Sequence, residues 1–92
     1  MKSSSEFPAL RDFSRGYFHE DCIDEYGSME AAARQFVKDA DREQRKVVAH
    51  EWAEFLKSFS SVEKINEAMR AMGSACRFAD LDEVEKVTRA LR

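Results

Sequence analysis

Breakers of regular structure are scarce in this chain: three glycines and one proline in 92 residues. No run of strict apolar–polar alternation occurs, so strands are not expected. Cysteine is equally sparse. Cys22 and Cys76 lie far apart without CxxC spacing, and in a reducing compartment they are expected to stay unpaired. No stretch approaches the ~20 apolar residues needed to span a bilayer. The opening Met1-Lys2-Ser3-Ser4-Ser5-Glu6 has no apolar run behind its lysine, so no leader is expected and the protein is placed in the cytoplasm. Positive charge is not in excess either. The net charge is −3 and the isoelectric point is near 5.4. This disfavours nucleic-acid binding, where phosphate contacts supply most of the affinity, and fits a basic protein partner better. There are no internal repeats, and the Ser triplet is the only low-complexity tract.

What is present is helical period, in a chain sized for one domain, 1–92, around one core. Pro8 belongs in the first turn of a short helix with Leu10, Phe13 and Tyr17 on one face. Ser28 caps a second run whose apolar face is Met29, Ala32, Ala33, Phe36, Val37 and Ala40, with Glu30 in its first turn. Asp41 and Gln44 form a capping box for the stripe Val48, Trp52, Phe55, Leu56 and Phe59. Ser60, with Glu63 three residues on, opens the stripe Val62, Ile65, Met69 and Met72, and Gly73 is placed to end it. A further box, Asp80 and Glu83, opens a last helix with Leu81, Val84, Val87 and Leu91 inward and Glu85–Arg89 outside. The expected fold is therefore all-α, a single compact domain of about five helices.

Between Gly16 and Ser28 the pattern breaks, and aromatics are packed together with acids. Such a loop is the expected seat of function or of an unusual structural plug. Catalysis is not expected there. His19, Asp21 and Cys22 offer three metal-ligand types, yet adjacent residues converge on one ion only in a strongly bent loop. A Cys22 nucleophile with His19 as base lacks an orienting group and an oxyanion hole. Elsewhere His50-Glu51 begins like a zinc-protease helix, but Glu54 stands where the second histidine is needed. No glycine-rich phosphate loop occurs. No enzyme activity, metal or cofactor is expected. Trp52, Phe55 and Phe59 read as core.

A binding surface remains. Glu20, Asp21, Asp24, Glu25 and Glu30 put five carboxylates into a stretch without lysine or arginine. Like charges gathered this way suit a basic partner, for which complementarity speeds encounter and fixes register. Two other classes compete. One is a small helical DNA-binding regulator using Arg42, Arg45 and Lys46 after the short Asp39-Ala40-Asp41 link, with a generic protein-interaction module as its bland counterpart. Asp39, Asp41 and Glu43 would repel phosphate there. The other is a metal-dependent enzyme built on His19, Asp21 and Cys22.

The stretch Phe7-Pro8-Ala9-Leu10, then Gly16-Tyr17-Phe18-His19-Glu20-Asp21, then Glu25-Tyr26-Gly27-Ser28 before an Ala-rich helix resembles a bacterial family. It is similar to the small immunity proteins of contact-dependent growth inhibition systems, over roughly the first 37 residues. Tyr17, Phe18, His19, Asp21, Tyr26, Gly27 and Ser28 match the recurring motif. Glu20 stands where glutamine is usual, and Cys22 where tryptophan is usual. The resemblance implies an all-α fold and a cognate toxin, the C-terminal domain of a large secreted surface protein and often a nuclease. Its surface would be basic and would be covered stoichiometrically in the cytoplasm. It also leaves two roles open for Tyr17, Phe18, His19 and Asp21, as an internal anchor or as a contact surface. The protein is expected as a monomer or weak dimer, without nucleic-acid or membrane partners.

Overall fold

The computed structural model describes residues 7–92, so the opening segment behind the leader expectation, residues 1–6, lies outside the described residues. Six α-helices follow one another: α1 Pro8–Tyr17, α2 Cys22–Tyr26, α3 Met29–Asp39, α4 Arg42–Lys57, α5 Val62–Ala71 and α6 Leu81–Leu91. No strand occurs among the described residues. The sixth helix is α2, which lies inside the segment expected to be a loop. Five residues are too few to display a 3.6-residue period, and only Cys22 among them is fully buried.

The capping chemistry sets most of the boundaries. Ser28 Oγ accepts from the Ala31 amide (3.0 Å), and Asp41 with Gln44 makes the reciprocal box, at 2.8 and 3.1 Å. Asp80 accepts from the Glu83 amide, but the Glu83 carboxylate reaches past Asp80 to the Ala79 amide (2.8 Å). The start of α5 is a correction. Ser61, not Ser60, is the cap and accepts from the Lys64 amide, so Glu63 completes no box. The end of α5 is a full left-handed stop: Gly73 has φ +102°, its amide bonds the Arg70 carbonyl, and the Ser74 amide bonds the Met69 carbonyl. A Cβ at Gly73 would also sit 2.8 Å from Arg15 Cγ.

Helix α1 is capped from elsewhere. Phe7 in the cap position offers no side-chain acceptor. Glu51 of α4 accepts from the Leu10 amide instead, at 2.9 Å, which satisfies an orphan donor and locks α1 onto α4. Around this pair α3 packs on α6, α4 on α6, and α2 on α3. Trp52, Phe55, Phe18, Leu10, Met29 and Met69 are all but fully buried. Trp52 also donates from Nε1 to Thr88 Oγ1 (2.9 Å), which ties α4 to α6. Phe59 and Leu56 are only partly buried. Leu81 is 53% exposed, contrary to the inward placement expected of it, because the first position of α6 precedes the turn that meets the core.

The link between α5 and α6 is pinned rather than helical. Asn66 donates to the Phe78 carbonyl (2.9 Å) and accepts from the Phe78 amide (2.7 Å), which holds the buried Phe78 ring against Trp52 and Phe18. No helix among the described residues is long and apolar enough to cross a membrane.

Candidate partner-binding surface

The turn from α1 through α2 to α3 sorts its side chains into two sets. Phe18 and Cys22 have no exposed surface and point into the core. Phe18 meets Phe13 edge-on at 4.9 Å, its carbonyl accepts from the Ala75 amide (2.8 Å), and the His19 carbonyl accepts from the Cys76 thiol. The Cys22 thiol is pushed up to about 12, first by burial and then by its hydrogen bond with Cys76. A thiol so disposed is packing material.

Tyr17, Tyr26 and His19 form the layer above. The Tyr17 ring stacks on Phe13 at 5.7 Å and on Tyr26 at 6.0 Å, and the Tyr26 ring lies 6.2 Å from His19. The Tyr17 hydroxyl donates to Asp39 Oδ2 (2.8 Å), whose other oxygen accepts from Gln35. Burial, reinforced by that carboxylate, raises the phenol to about 12. His19 Nδ1 accepts from the Asp21 amide (3.1 Å), which leaves Nε2 to face Glu25 at 3.2 Å. Gly27 turns the chain with φ +100° into the Ser28 cap.

The acids lie outermost. Glu20, Asp21, Asp24 and Glu25 are all exposed. Asp21 occupies the cap position of α2, but its carboxylate makes no capping bond. Glu30 differs from the other four. Its carboxylate takes the Arg34 guanidinium at 2.7 Å, so the nearest arginine after the acid-rich stretch neutralises its fifth member. His19, Asp21 and Cys22 do not converge: one ring nitrogen is engaged, one carboxylate is outward and one thiol is inward. Arg42 and Lys46 are exposed at the start of α4, and the exposed Asp41 and Glu43 interleave with them.

Beyond Tyr17 lies a feature that the sequence alone did not reveal. A groove of about 640 Å³ runs between α1, the end of α3 and the start of α4. Phe13, Tyr17, Phe36, Ala40, Val47 and Val48 give it an apolar floor, and Asp12, Asp39, Asp41 and Glu43 give it four carboxylates. Among the described residues, no lysine or arginine lines it.

The family model described as CdiI immunity protein matches residues 6–85. The chain belongs to the CdiI immunity protein family. The match extends well beyond the first 37 residues that carry the motif, through α5 and into α6. No curated protein and no solved structure matches the chain. Membership in a CdiI immunity family points to toxin neutralisation as the role and to a toxin as the partner.

Proposed function

We propose that this chain is a non-catalytic inhibitor that binds one cognate toxin domain, stoichiometrically and in the cytoplasm, and covers its active or substrate-binding surface. The observation that carries the reading is the layered turn. Phe18 and Cys22 anchor it inside, and Glu20, Asp21, Asp24 and Glu25 stand exposed over the His19–Tyr26–Tyr17 layer. Four carboxylates on a fixed support match a basic surface, such as one that a nuclease uses to grip phosphate. Glu30, paired with Arg34, is left a lesser part. The chain acts as one domain, and its partner is the C-terminal domain of a large secreted protein.

The test pairs the chain with the C-terminal domain encoded immediately upstream. Co-expression should rescue growth and yield a one-to-one complex. Asp24→Lys with Glu25→Lys should then weaken binding by about 1.5 kcal/mol or more, roughly tenfold in Kd, and flatten its salt dependence. Unchanged affinity and an unchanged salt slope would refute the acidic-turn surface.

A further inference from the structure

Two hollows on the described surface are set apart by their charges. The one beside α5 carries Glu63 and Glu67 against Arg70 and Arg77, so its signs offset one another. Among the described residues, the charged groups of the α1–α4 groove are all carboxylates. Two of these are already fixed, Asp39 by Tyr17 and Gln35, and Asp41 by the Gln44 amide. Asp12 and Glu43 are exposed, and no cation pairs with either among the described residues. Val47 is 41% exposed in the same groove and adds apolar surface beside the four acids. Apolar floor with anionic rim is the complement of a lysine or arginine side chain, whose stem is aliphatic and whose tip is charged. Tyr17 links the groove to the acidic turn, because it lines the one and stacks on Tyr26 of the other.

Resting on the toxin-binding reading, we propose that this groove seats a lysine or arginine of the toxin domain, its stem along Val47 and the aromatic floor and its charge against Asp12 and Glu43. The toxin thereby straddles Tyr17, with one basic segment on the α2 acids and a second in the groove. A site formed from residues so distant in sequence also adds specificity, because a toxin with a basic surface but no such projecting side chain would leave the groove unfilled.

The experiment titrates the upstream-encoded toxin domain against four forms of the full chain at two salt concentrations, with thermal melts of each. The forms are wild type, Asp12→Lys with Glu43→Lys, the near-isosteric Asp12→Asn with Glu43→Gln, and Glu63→Gln with Glu67→Gln as control. The lysine pair should raise Kd by at least about tenfold, and the neutral pair should raise it less and flatten the salt slope. The α5 control should stay within about twofold, since rim charges outside an interface contribute little. If the lysine pair lowers the melting temperature, the neutral pair decides. Groove variants that bind like wild type, while Asp24→Lys with Glu25→Lys weakens binding, overturn the groove and leave the toxin reading standing. A wild-type chain that binds no toxin overturns the toxin reading itself, and the groove proposal with it. A wild-type dimer that Glu43→Lys dissociates would make the groove a self-interface and also overturn the proposal.

Discussion

Replacing Asn66 with alanine removes both hydrogen bonds that pin the α5–α6 link, and the structure sets the size of the effect. The amide donates to the Phe78 carbonyl at 2.9 Å and accepts from the Phe78 amide at 2.7 Å, in a half-buried setting. Each such bond contributes about 1 kcal/mol net, so Asn66→Ala should cost about 2 kcal/mol. In a domain of this size that lowers Tm by about 8–16 °C. The loss should be felt at the candidate surface too. The same link supplies the Ala75 amide to the Phe18 carbonyl and the Cys76 thiol to the His19 carbonyl. Near-ultraviolet circular dichroism, which reports Trp52 against Phe78, should change together with the melt. Asn66→Asp refines the test. The introduced carboxylate can still accept from the Phe78 amide but opposes the carbonyl, so its charged form is disfavoured in the folded state. At neutral pH Asn66→Asp should therefore melt below wild type. A melt of Asn66→Ala within about 3 °C of wild type would refute the pin.

Two titrations follow from the packed turn. Tyr17 should ionise at about 12, while the unfolded chain releases its phenol protons near 10.0. The folded chain then holds more protons between those values, so stability falls as pH rises from about 10 to about 12. Ultraviolet difference absorbance should show the late step lost in Tyr17→Phe and shifted down in Asp39→Asn. Two tyrosines ionising together near the unfolded value would count against the Tyr17–Asp39 bond. For the thiols, an aromatic disulfide reagent at mildly alkaline pH should find the half-buried Cys76 but reach Cys22 only on unfolding. Two fast equivalents from the native chain would contradict the burial of Cys22.

Helix beginnings were legible in the sequence wherever the cap is local. Ser28, Asp41 and Asp80 each act within three residues of themselves, so their signals survive without tertiary information. Ser60 and Ser61 show the limit. Adjacent serines offer two registers, and the choice falls where Ile65 and Met69 can be buried and Phe59 can turn back on Phe55, at 5.0 Å. The cap of α1 was out of reach, because Glu51 lies 41 residues from the amide that it satisfies. A cap position held by Phe7 was the one clue, since a helix starting without an oxygen there needs an acceptor from elsewhere. The acidic turn could be read as charge. The groove could not, because its acids come from α1, the end of α3 and the start of α4 and share a face only once α1 has docked.

The two positions at which the sequence departs from the motif that it resembles, Glu20 and Cys22, fall on opposite sides of this turn. Cys22 has no exposed surface, so a side chain at that position points into the core and cannot touch a partner. Cysteine in place of tryptophan therefore changes packing. Glu20 is exposed, so glutamate in place of glutamine leaves packing alone and adds a negative charge to the outward set. If the acidic turn meets the toxin, Glu20→Gln, at an exposed position, leaves the fold alone and removes one carboxylate from the encounter surface. The Cys22 substitution, by contrast, reaches the partner only through the stability of the turn that holds those carboxylates in place. On the proposed reading, binding specificity would vary at the exposed Glu20, Asp24 and Glu25, while the buried Phe18 and Cys22 preserve the support beneath them.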